Sequence, residues 1–183
     1  TGVSETVLIN DDVAVEDSSY TTGRRGVAAT VIVEKIVGSL AETGGSLKEC
    51  KILGDKVNRN SGSMGVAFSS CTVPAAGKPT FKLGSDEMEF GVGIHGEPGR
   101  RRDKVQPAQE ITNELLGAII EDLKLENNGE ILLFVNGMGG TPLTELYLLY
   151  DNAKKTLDDK NIKIARSLVG NYCTSLEMQD SLL

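Results

Sequence analysis

The run Ile131-Leu-Leu-Phe-Val135 constrains this chain more than any other stretch. An apolar run this short has no solvent-facing side if it is extended, so it predicts a strand covered on both faces. Before it, Pro107 is followed by Ile111, Leu115, Leu116, Ile119, Ile120 and Leu123 at helical spacing, and Asn127-Asn128-Gly129 stops that helix. After it, the turn Asn136-Gly-Met-Gly-Gly140 leads into Thr141-Pro142, which reads as the N-cap and first-turn proline of a helix through Leu146, Leu149, Tyr150 and Ala153. A doubly buried strand flanked by helices needs two covering layers. The expected fold is therefore α/β, a layered mixed sheet with flanking helices.

The rest of the chain repeats this alternation. Val7-Leu-Ile9 reads as a short strand and Asn10-Asp11-Asp12 as a turn or helix start. Val27, Val31, Ile32, Ile36, Val37 and Leu40 predict a helix from Arg25 to about Thr43, ended by Gly44-Gly45. Ser46-Leu-Lys-Glu49 has capping-box spacing for a second helix along Leu47, Cys50, Leu53, Gly54 and Val57. Met64 to Ser70 reads as a strand, Pro74 to Pro79 as a turn-rich connection, and Phe81 to Leu83 as a short strand. Ile162, Ile164 and Leu168 return to strand, and Ser181-Leu-Leu183 reads as another beginning. The turn-rich connection divides the chain into residues 1–72, the end of an N-terminal domain, and 73–183, the larger part of a C-terminal one.

Chemistry concentrates at Asp86-Glu-Met-Glu-Phe-Gly-Val-Gly-Ile-His95-Gly-Glu-Pro-Gly99, which holds the single histidine. Met88, Phe90, Val92 and Ile94 alternate, predicting a strand with one buried face. Gly91 and Gly93 fall on the other face together with His95, and Gly96 to Gly99 turns the chain, so the imidazole is expected at the strand's C-terminal end. Ligands of open α/β sheets bind there. A neutral imidazole is both a nucleophile and a proton acceptor near neutral pH, able to hold a small carbonyl compound by hydrogen bonding, proton transfer or addition. The plain alternative is a hydrogen-bonded structural histidine.

Composition narrows the partners. The formal net charge of −7 argues against nucleic acid, whose phosphates need a positive surface. No apolar run approaches the roughly 20 residues of a membrane helix, and a soluble, cytoplasmic protein is expected. Cys50, Cys71 and Cys173 are odd in number and fit no metal-ligand spacing, so reduced thiols are expected. Asp12, Glu16 and Asp17 have the right type for metal ligands or a catalytic pair, but no second cluster supports them, and solvated acidic turns are commoner. The glycine turn 137–140 before a helix has phosphate-cradle geometry without the Gly-Lys-Ser/Thr of a P-loop; its commoner reading is close helix–strand approach.

The histidine segment resembles that of dihydroxyacetone kinases, specifically the dihydroxyacetone-binding subunit. Similar matches run along Asn10-Asp-Asp-Val-Ala-Val15, Gly23-Arg-Arg-Gly26, Ser63-Met-Gly-Val66, Cys71 to Phe81, Val135 to Pro142 and Ser167 to Tyr172. The resemblance implies a two-domain family and a longer protein, in which His95 is both the catalytic and the substrate-binding residue, held covalently to the substrate carbonyl. It implies phosphoryl transfer to dihydroxyacetone, with Mg-nucleotide on a separate kinase subunit or domain and no cofactor or metal on this chain. It further implies a homodimer and, in some members, a phosphotransferase-system donor in place of ATP. The family's other substrate-site residues, a histidine and an aspartate, lie upstream of the region matched here. A paralogue acting as a transcriptional co-regulator, and an interaction module with a structural histidine, are the other readings.

Overall fold

The computed structural model describes residues 2–15, 23–75, 77–94 and 99–183. The apolar run 131–135 lies within β4 (Glu130–Gly137), which is exposed at its start and buried from Leu133 onward. Its side chains point alternately into two cores. Leu133 and Val135 join Val66, Met88, Phe90, Leu115 and Leu146, while Phe134 joins Val27, Ile32, Ala67, Met138 and Leu182. The expected double covering is therefore present along its second half.

The preceding elements in chain order are α1 (Ala29–Glu42), α2 (Leu47–Arg59), β1 (Gly65–Ala67), β2 (Glu87–Phe90), β3 (Arg101–Lys104) and α3 (Ala108–Leu123). After β4 come α4 (Leu143–Asp159), β5 (Lys163–Gly170) and β6 (Asp180–Leu182). One six-stranded sheet has the order β3-β2-β1-β6-β4-β5. Among the described residues β4 and β5, joined by α4, pair in parallel and the other strand pairs of the sheet are antiparallel, so the sheet is mixed. It takes strands from both sides of residue 72. The helices α3 and α4 bury Leu115, Leu116, Leu146 and Leu157 on one face. The start of α1 and the loops cover the other face through Val27, Ala28, Cys71 and Met178.

Local chemistry explains the boundaries. Ser46 and Glu49 form the expected capping box, with the Ser46 Oγ accepting from Glu49 N–H and the Glu49 carboxylate from Ser46 N–H. The helix expected from Arg25 begins instead at Ala29, because the Asp11 carboxylate takes the Val27 and Ala29 N–H groups. Two expected strands are absent. Val7-Leu-Ile9 and Phe81 to Leu83 have no regular structure; no neighbouring strand pairs with either, and an extended run without a partner is no strand. One strand went unanticipated: β3 is so heavily charged that it carries no apolar alternation, as suits a sheet edge. Its Lys104 pairs with Asp86 across the hairpin, and Arg101 with Glu114 of α3.

Candidate functional site

The segment after β2 is steered by backbone geometry rather than by alternation. Gly91 adopts φ +73, and a Cβ there would lie 2.6 Å from that of Ala14, so only glycine lets the chain turn beside the 11–15 loop. The turn ends β2 at Phe90 and moves the next residues across the sheet. Met88 and Phe90 stay in the first core, whereas Val92 and Ile94 join the second. This corrects the expectation of a strand reaching residue 94 with all four apolar side chains on one face. His95 and the turn residues Gly96, Glu97 and Pro98 lie outside the described residues.

Both flanks of that short segment are anchored. On the entering side, the Ser175 hydroxyl donates to the Ile94 carbonyl, and Ser175 N–H donates to Met138 O at 2.7 Å. On the leaving side, Gly99 N–H donates to Glu89 Oε1 at 2.8 Å and Arg100 N–H to the Phe90 carbonyl at 2.7 Å. Any Cβ on residue 99 would sit 2.1 Å from the Phe90 oxygen, so glycine is required where the chain returns.

Beneath Gly91 lies a buried polar cluster. Arg25 Nη2 donates to the Gly91 carbonyl at 2.7 Å, and Arg25 Nε to Asp12 Oδ2 at 2.8 Å. The Asp12 carboxylate also accepts from Ala14 N–H at 2.9 Å. Burial pushes the Asp12 carboxyl up from its ordinary value, and the facing Arg25 offsets only part of that. Asp11 beside it accepts from Val27 N–H and Ala29 N–H at the entry to α1, and from the Ser63 hydroxyl. Asp180 differs from both. Its two carboxyl oxygens are buried without a hydrogen-bond partner, and burial, reinforced by Asp12, pushes it well above the usual carboxylate range. Burial likewise pushes the Cys173 thiol up, which opposes thiolate formation.

The remaining candidates separate cleanly. Asp12 is engaged with Arg25; Glu16 and Asp17 lie outside the described residues, among which no group of three or more His, Cys, Asp or Glu side chains is placed to hold a metal ion. All three cysteines are free thiols. In the glycine turn, Met138 N–H donates to Asp180 O, Gly139 N–H to Asn171 Oδ1 and Gly140 N–H to Met178 O, so these donors are spent inside the protein. Gly139, at φ +116, would bring a Cβ to 2.0 Å of the Leu176 carbonyl. The turn itself lies close against the 174–178 segment. Thr141 is no N-cap: its hydroxyl donates to Asp180 O and accepts from Asp180 N–H, and Pro142 takes the cap position without a side-chain bond. A wide cleft beneath α1 and α2 is lined by Ile32, Ile36, Val57, Phe134 and Leu182, and by none of residues 91–94.

Sequence reasoning passed over Arg25, Ser175, Asp180 and Glu89. Gly23-Arg-Arg-Gly26 is conspicuous as a motif, but its second arginine bonds a carbonyl 66 residues away. A linear pattern holds no trace of that distance.

The comparisons agree with this geometry. A model of the Dak1 domain matches residues 2–182. The chain is 48% identical over 174 residues to the PTS-dependent dihydroxyacetone kinase 1, dihydroxyacetone-binding subunit DhaK of Listeria innocua, covering 95% of this chain and 53% of that protein. It is 43% identical to the PEP-dependent dihydroxyacetone kinase, dihydroxyacetone-binding subunit DhaK of Escherichia coli, covering 94% of this chain and 55% of that one. A solved structure titled dihydroxyacetone kinase operon co-activator Dha-DhaQ superposes with a TM-score of 0.87 at 32% identity, over 96% of this chain and 55% of its own. The chain thus spans about half the length of these relatives. With a Dak1 match along nearly its whole length, and a mixed sheet whose glycine-rich turn stands beside a buried aspartate–arginine pair, the chain belongs to the Dak1 domain family.

Proposed function

We propose that this protein is the dihydroxyacetone-binding part of a dihydroxyacetone kinase. It holds the substrate on His95 for phosphoryl transfer from a separate nucleotide-binding subunit or domain. The observation that supports it best is the 48% identity to a protein named for that role, spread over 95% of the chain. In the reaction, a ring nitrogen of His95 adds to the ketone carbon. The carbonyl π bond opens to an alkoxide, and the ring N–H proton is passed to that oxygen, giving a hemiaminal with no leaving group. Glycerol offers no electrophilic carbon and is not retained in this way. Fixing the ketone also fixes the hydroxyl to be phosphorylated, which turns a diffusional encounter into a positioned one. Mg-nucleotide belongs to the partner, and the names of the bacterial relatives favour a phosphotransferase-system donor. A homodimer in the cytoplasm completes the reading.

The test is addition of dihydroxyacetone labelled with carbon-13 at the ketone, read by NMR. Wild type should convert the ketone resonance to that of a tetrahedral carbon, and His95→Ala should not, while its circular dichroism stays unchanged. Protonation competes with addition, so the adduct should fade as pH falls below about 6.5, the unperturbed imidazole value. An undiminished adduct in His95→Ala, or one indifferent to pH between 5 and 8, removes the mechanism. The co-activator reading is favoured by the TM-score of 0.87 to a protein of that title. Phosphoryl transfer to dihydroxyacetone on adding the nucleotide-binding subunit separates the two.

A further inference from the structure

We propose that the cleft beside β4 is a binding slot for one more β-strand: an extended, apolar run of about five residues, antiparallel to β4, that continues β6 in the same polypeptide. The slot and its occupant do not depend on the function proposed above.

Three features of the cleft define what fills it. The first is free backbone. Residues 130–134 all line the cleft, although successive side chains of a strand point to opposite faces, so they reach it through a shared edge. Along that edge β6 pairs with Asn136 and Gly137, and among the described residues no strand pairs with the rest. Met138 N–H donates to Asp180 O, so by the strand's period of two the N–H and C=O groups of Leu132 and Phe134 face the slot, and those of Leu133 and Val135 face β5. Buried backbone groups are paired in folded proteins, and an open ladder is matched by another strand.

The second feature is the walls. Leu116, Ile119 and Leu123 of α3 stand on one side of the slot, and Ile32 and Ile36 of α1 with Val57 of α2 on the other. Both faces of an entering strand would meet apolar side chains, which selects a continuous apolar run over an alternating one. The slot opens to solvent at Glu130, which limits the run to about five residues opposite 130–134. Edges that meet water are charged, as β3 is, whereas residues 131–135 carry no charge.

The third feature is direction. Leu182 lies opposite Asn136 and Ser181 opposite Gly137, while Leu183 bonds Met64 on its other side. β6 therefore lies between β1 and β4 and runs toward the slot, with Phe134 next along β4 to be paired. A strand from another molecule would have to start where Leu183 already stands; the same polypeptide enters in register. The match to the Listeria innocua relative covers 53% of that protein, so the full-length relative has further polypeptide to supply.

The experiment follows amide hydrogen exchange by NMR in the chain as it stands, and in two versions extended after Leu183 by Val-Ile-Val-Leu-Val or by Val-Glu-Val-Glu-Val. Unextended, Leu132 and Phe134 should exchange at least about tenfold faster than Leu133 and Val135. The apolar extension should slow Leu132 and Phe134 by about tenfold or more and raise the thermal midpoint, and the alternating one should do neither. No added protection with the apolar extension overturns the proposal. Equal protection by both extensions also overturns it, since the walls would then not select an apolar run. Slow exchange at Leu132 and Phe134 in the unextended chain overturns it too: independent of protein concentration it means a slot already closed, and growing with concentration it means a second copy as occupant. Should the apolar extension impair folding, the uncharged Val-Thr-Val-Thr-Val decides in its place.

Discussion

At the residue scale the buried carboxylates divide by what surrounds them. Asp11 has three donors and Asp12 a guanidinium, so their burial is compensated by hydrogen bonds. Asp180 has neither, and a buried carboxyl without a donor favours its neutral form. Its folded pKa is raised above that of the unfolded chain. The sign follows: Asp180 costs no ionisation below the unfolded value, and stability is lost as pH rises toward the folded one. Asparagine has the shape of the protonated acid and does not titrate. Asp180→Asn should therefore be more stable than wild type at pH 7, with the gap closing as pH falls toward about 4. Urea midpoints of both proteins at the two pH values check this. An unchanged gap would mean that Asp180 finds a partner in solution.

At the element scale the glycines show how one substitution takes opposite signs. Gly38 lies inside α1, exposed, and a Cβ added there would meet nothing within 4 Å beyond its own helix backbone. Gly38→Ala should stabilise the protein by about 0.5–1 kcal/mol, because alanine loses less backbone entropy in a helix. Gly139 sits at φ +116 with the Leu176 carbonyl 2.0 Å from where a Cβ would lie. Gly139→Ala should destabilise by more than that same roughly 1 kcal/mol, since the backbone of the 171–178 segment must move. Thermal melts of the two variants should shift in opposite directions. A rise in Gly139→Ala would mean that the turn is looser than its contacts require.

For the whole molecule, charge and the use of backbone donors lead to one expectation about nucleotide. The net charge of −7 repels a polyanion, and the glycine-turn N–H groups that could cradle phosphate are already bonded to Asp180, Asn171 and Met178. This chain alone should give no measurable heat on titration with Mg-ATP; micromolar affinity would contradict the division of labour proposed above. From the sequence alone follow the α/β class, the helices α1 to α4 and the buried strand β4, because each has a repeat short enough to register along the chain. The strand β3 is not legible there, since its charges mask the pairing that β2 supplies. Where the segment after β2 turns, which core takes Val92 and Ile94, and what holds them were decided only in three dimensions. Arg25 to Gly91 and Ser175 to Ile94 are bonds between residues 66 and 81 positions apart. A hydrogen bond forms over about 3 Å of space whatever the sequence separation, so no local pattern can encode it.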